Sequence, residues 1–141
     1  MTRNAGVMVG LLAAVFGLGF LAGQGTSVTA QAKNRVFEIR TYTVEEGHMD
    51  ALVSRMRKGE ARIFDKVGMK GVLFSVAAEQ PKTATTFVYI LAHESLDGAK
   101  ASWAKFRDDA EWKQLYATAE STGPLKVDSI FVNPTEFSPL K

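Results

Sequence analysis

The sequence predicts one α+β domain with the element order β-α-β-β-α-β, and three observations carry that expectation. Beyond residue 32, stretches in which apolar and polar residues alternate are separated by stretches whose apolar residues recur at helical spacing. Glycine and proline fall at the joints between them. A chain of 141 residues leaves room for one core of ordinary size and not for two.

The first strand is expected from Val36 to Val44, where Phe37, Ile39 and Thr41 alternate with Glu38, Arg40 and Tyr42 in a run rich in β-branched and aromatic types. Glu46-Gly47 breaks it. Met49, Leu52, Val53, Met56, Ile63, Phe64 and Val67 then form one stripe at helical spacing, and Gly68 supplies a left-handed stop. Gly71 to Ala78 reads as the second strand and Thr85 to His93 as the third, joined at Pro81-Lys82 by a turn short enough for antiparallel pairing. Ser95 is placed to cap a helix that buries Leu96, Ala99, Trp103 and Phe106. Asp108-Asp109 interrupts that helix, and Asp109 can cap a shorter one carrying Trp112, Leu115, Tyr116 and Ala119. Gly123-Pro124 ends it, Val127 to Val132 is the last strand, and Asn133-Pro134 begins a tail. This order is the ferredoxin-like arrangement, in which a four-stranded antiparallel sheet carries its helices on one face.

The third strand presents Phe87, Tyr89, Leu91 and His93 on one side and Val88, Ile90 and Ala92 on the other, and Val72 to Ala78 has no polar side either. A strand apolar on both sides is buried on both sides. The helices can cover one face only, and no second domain is available for the other. A second copy of the chain is therefore expected there, two sheets closing face to face as a barrel in a C2 homodimer.

Residues 1–32 differ in kind from the folded domain expected over 33–141. Arg3 is followed by an uncharged apolar run from Ala5 to Ala22, and Ala30-Gln31-Ala32 offers the small residues a signal peptidase reads. Cleavage after Ala32 and export to the periplasm or the medium are expected. The alternative is an uncleaved helix anchored in the inner membrane, since the run approaches the roughly 20 residues that span a bilayer. Membrane association is expected only through this segment if it is retained. The balance of 17 Lys and Arg against 15 Asp and Glu is too even to argue for nucleic acid. With no Cys in the chain, disulfides, thiolate metal sites and Cys nucleophiles are excluded together.

Several stretches resemble one family. Phe37-Glu38-Ile39-Arg40-Thr41-Tyr42-Thr43 followed by Gly47 is similar to the opening of NIPSNAP domains. So are Tyr89 to Leu96 and Trp103 to Trp112, while Asn133 to Leu140 resembles the tails of bacterial members. The likeness runs over residues 36–140 and rests on four motifs in order. It departs at Ala110, where a Pro is usual, and at Lys100 and Ala101, near a common Arg. The resemblance implies a dimeric α/β barrel and, for exported bacterial members, no agreed activity. Fold relatives of such domains include cofactor-free monooxygenases and haem-handling proteins, which is analogy alone.

Glu38, Arg40 and Tyr42 share one side of the first strand, where a carboxylate, a guanidinium and a phenol could orient a polar ligand, or satisfy one another beside the dimer seam. His93, ending the third strand, is a candidate general base or haem ligand, with Tyr42 or Tyr89 as its partner, or else a structural histidine without an obvious one. Trp103, Phe106, Trp112 and Tyr116 surround the break in the second helical region and suit either an aromatic pocket or a core. The candidate ligand-binding set is thus Glu38, Arg40, Tyr42, Tyr89, His93, Trp103 and Trp112. Arg55, Arg57, Lys58 and Arg62, interleaved with Glu60 and Asp65, read as a solvated face. His48 reads as a surface residue. Two distant histidines give no metal spacing, and neither a phosphate loop nor a nucleophile elbow occurs, so no metal or cofactor is expected. Two functions remain: an exported module that binds a small apolar molecule or a protein partner, and a cofactor-independent oxygenase or isomerase using His93. An enzyme would need His93 to face a cavity and to stand within reach of another titratable group.

Overall fold

The computed structural model describes residues 35–141. Residues 1–32, with the expected signal segment, lie outside the described residues. The elements are β1 (Val36–Val44), α1 (Met49–Arg55), a π-helical segment (Met56–Glu60), α2 (Ala61–Lys66), β2 (Lys70–Val76), β3 (Thr86–His93), α3 (Leu96–Asp108), α4 (Ala110–Thr118) and β4 (Leu125–Val132). The four strands form one antiparallel sheet in the order β2-β3-β1-β4, the expected split arrangement. No helix among the described residues is long and apolar enough to cross a membrane.

Alternation sorts the sheet into two faces. Tyr42, Val44, Phe87, Tyr89 and Leu91 point to the helices and pack with Met49, Leu52, Met56, Ile63, Phe64 and Phe106. Phe64 is the centre of this core, its ring 5.6 Å from Tyr89 and 5.0 Å from Phe106. The opposite face holds Ile39, Thr41, Val88 and Ile90 on the central strands. Ile130 pairs with Ile39 and Leu73 with Ile90 on the edges of that face. Ile130 is 57% exposed and Leu73 44%.

Helix ends follow the sequence signals. Ser95 Oγ accepts the Gly98 amide at 2.9 Å, and Asp109 Oδ1 accepts those of Glu111 and Trp112. Gly68 closes α2 with φ +91°, a conformation that costs little without a Cβ. Three expectations change. The stripe from Met49 to Val67 is not one helix, because the chain widens to a π turn over residues 56–60 and departs from helical geometry at Gly59. Leu96, at the start of α3, is exposed rather than buried, and Tyr116 of α4 is 62% exposed. Arg55 and Glu60 leave the expected solvated face: they are 4% and 2% exposed and paired to each other.

Candidate functional site

Glu38, Arg40 and Tyr42 point into the space between sheet and helices, not toward the open sheet face where a dimer seam would run. Glu38 is buried and organises its surroundings. Its Oε1 accepts Arg40 Nη1 at 2.7 Å and Ser129 Oγ at 2.8 Å. Its Oε2 stands 2.9 Å from His93 Nε2 and accepts Trp103 Nε1 at 2.8 Å. Burial pushes this carboxyl up, and the hydrogen bonds from His93, Arg40, Trp103 and Ser129 together outweigh it, so that it is held down at about 2. Four elements, β1, β3, β4 and α3, meet at one carboxylate.

Arg40 sits over Trp103, its guanidinium carbon 4.3 Å from the ring centroid, with Tyr42 and Tyr89 at 5.6 and 5.9 Å. Burial opposes the Arg40 charge, and the neighbouring phenols and Glu38 more than offset it, raising the guanidinium further. Tyr89 donates to Tyr42 Oη at 2.8 Å, and burial pushes the Tyr89 phenol up. Six of the seven expected ligand-binding residues therefore converge. Trp112 stands apart, 4.5 Å from Phe106 and close to Arg55.

His93 does have a partner, contrary to expectation, and it is Glu38. It is also 1% exposed, and its ring packs 5.8 Å from Phe131. It lines none of the cavities described below, and its Nδ1 and Arg40 Nε have no hydrogen-bond partner among the described residues. His48 precedes α1 and reaches the Ser121 carbonyl oxygen at 3.2 Å. Among the described residues no group of three or more His, Asp or Glu converges as a metal site.

The open spaces lie elsewhere. A cavity of about 380 Å³ runs between α1 and β2, walled by Val53, Met56, Phe74, Val76 and Phe87, with Arg57 at its side. A second of about 360 Å³ continues it past Met49 and Val53 to Thr83 and Ala84. Val53 and Val76 belong to both, so the two form one groove beneath α1 along the edge strand. None of its residues was singled out as a ligand contact from sequence. Val53 and Met56 read there as ordinary members of a helical stripe, and the space opens because β2 is an edge strand that no further strand covers among the described residues. Ser129 and the Arg55–Glu60 pair were also missed. Ser129 sits opposite Arg40 on β4, a register that alternation alone does not supply.

A four-stranded antiparallel sheet in the order β2-β3-β1-β4 with its helices on one face defines a ferredoxin-like α+β domain. Within that class the chain belongs to the NIPSNAP family, whose model matches residues 37–139. Among solved structures it is similar to a NIPSNAP family protein with unknown function from Agrobacterium tumefaciens, at 22% identity, covering 78% of this chain and 96% of that one, with a TM-score of 0.63. It is also similar to an uncharacterized NIPSNAP-like domain protein from Burkholderia xenovorans, at 15% identity over 76% of this chain and 90% of that one, TM-score 0.66. A more distant fold likeness, TM-score 0.51 at 13% identity over 75% and 98% of the two chains, is to SnoaB, a cofactor-independent oxygenase from Streptomyces nogalater. No curated protein matches the chain.

Proposed function

We propose that the protein is an exported homodimeric binding module that takes a small apolar molecule in the groove between α1 and β2. The groove carries this reading: its walls are Val53, Met56, Phe74, Val76 and Phe87, and the cavity of about 380 Å³ falls in the size range of small-ligand sites. Apolar burial is the driving force available there, with Arg57 beside it for a polar end. The uncovered sheet face supports the dimer. Leu73, Ile39, Ile90 and Ile130 would be left against water in a lone protomer, and a second copy is the partner whose surface matches by symmetry. The composition of residues 1–32 supports export with cleavage after Ala32, for which an intact mass beginning at Lys33 is the check.

The polar knot serves as the rigid frame of the site. Glu38 ties three strands and α3 together, which fixes the layer spacing that the groove requires. A reaction with His93 as base has Glu38 in its favour as an orienting partner. It lacks access, because His93 is buried and faces none of the cavities described. Titration with 1-naphthol, followed by its fluorescence, tests the groove. Wild-type protein should bind it saturably, and Val53→Phe, which fills the waist shared by both cavities, should weaken binding by about tenfold or more. Equal binding by the two proteins would refute the site.

A further inference from the structure

We infer that a second, polar site lies where Arg55 faces the loop after α4, and that it takes the carboxylate of a small monocarboxylic acid. A cavity of about 200 Å³ is lined there by Arg55, Tyr116, Glu120, Ser121, Thr122 and Gly123. Arg55 is buried, being 4% exposed, yet among the described residues only one of its nitrogens is used: Nε donates to Glu60 Oε2 at 2.7 Å. Neither Nη has an acceptor among the described residues, and neither is sealed off as a buried unpaired atom. A guanidinium carries five N–H donors, and one placed only to neutralise Glu60 would be expected to spend the rest on nearby carbonyls. Here the terminal pair is left for the cavity.

The fork is also held still. Glu60 fixes its Nε edge, and the rings of Trp112 and Tyr116 lie 5.6 and 5.7 Å from its carbon. The π segment makes this possible. On an α-helix, residues five apart point in widely different directions, whereas widening the turn at Gly59 brings Glu60 onto the side of Arg55. A planar pair of donors matches the two oxygens of a carboxylate. Charge selects among anions. Glu60 already balances Arg55, and Glu120 stands at the cavity wall, so a dianion meets about twice the repulsion that a monoanion does. The remaining wall, Tyr116 and Ala119, suits a short apolar remainder.

The test is a titration of ¹⁵N-labelled protein with sodium propionate at constant ionic strength, with sodium phosphate in parallel. The readouts are the Arg55 Nε–Hε signal and the amides of residues 119–123. Propionate should give saturable shifts at these positions, and phosphate binding should be weaker by about threefold or more. Arg55→Lys, which keeps the charge but not the fork, should abolish the shifts. Glu120→Gln, at an exposed residue, should tighten propionate binding by about twofold at low salt. If Arg55→Lys does not fold, the comparison of wild type with Glu120→Gln decides. Absence of saturable shifts, equal affinity for phosphate, or unchanged affinity in Glu120→Gln would overturn the site. The groove beneath α1 is read with 1-naphthol, which has no carboxylate, so either site can fail alone.

Discussion

Replacing Glu38 by Gln should be the most damaging near-isosteric change in the molecule. The carboxylate accepts from Arg40, Ser129 and Trp103 and pairs with His93, and a carboxamide offers one acceptor oxygen and turns its NH₂ toward donors. The magnitude follows from linkage. The carboxyl moves from 4.5 to about 2 on folding, and at ~1.36 kcal/mol per unit this amounts to ~3 kcal/mol of stability at neutral pH. Removing one partner of a buried ion pair costs about 3–5 kcal/mol, which agrees. Because the folded value is depressed, the stabilisation is complete above pH 4.5 and disappears as the pH falls toward 2. Urea unfolding of wild type and Glu38→Gln at one fixed chain concentration, repeated at several pH values, reads both quantities. The gap should be ~3 kcal/mol at pH 7 and should close on acidification. A gap below ~1 kcal/mol at pH 7, or one that does not narrow with pH, would refute the reasoning.

The Arg55–Glu60 pair should behave with the opposite sign. Burial pushes the Glu60 carboxyl up despite Arg55, so its charged form works against folding and wild type gains stability relative to Glu60→Gln as the pH falls through its folded value toward 4.5. Glu60→Gln should therefore cost less at pH 7 than Glu38→Gln, by the same urea measurement. Tyr89→Phe removes the hydrogen bond to Tyr42 and should lower stability by about 1 kcal/mol with no change in oligomeric state on a sizing column. Gly68→Ala places a Cβ at φ +91° and should cost about 1–2 kcal/mol, read as a lower melting temperature.

The period of the hydrophobic pattern made the topology legible, since each strand and each capped helix start is a local property. Ser95 and Asp109 cap as their side chains dictate, and Gly68 stops its helix for want of a Cβ. The clustering of Glu38, Arg40 and Tyr42 was visible because residues two apart on a strand share a face. That this face meets helices was not, because alternation divides residues into two sets without saying which set is inside. Arg55 and Glu60 looked solvated because a helix drawn at 3.6 residues per turn puts them apart. The glycine at 59 inside that run was the one local hint of a break. The partner of His93 comes from β1, fifty-five positions away in sequence, and such a pairing is fixed by sheet register rather than by any local signal.

Native mass spectrometry of the protein mixed with 1-naphthol reads assembly and groove in one spectrum. Two-chain ions carrying up to one probe molecule per chain are expected from wild type, and two-chain ions without probe from Val53→Phe. Single-chain ions from wild type at micromolar concentration, or probe retained equally by Val53→Phe, would contradict the dimeric binding module.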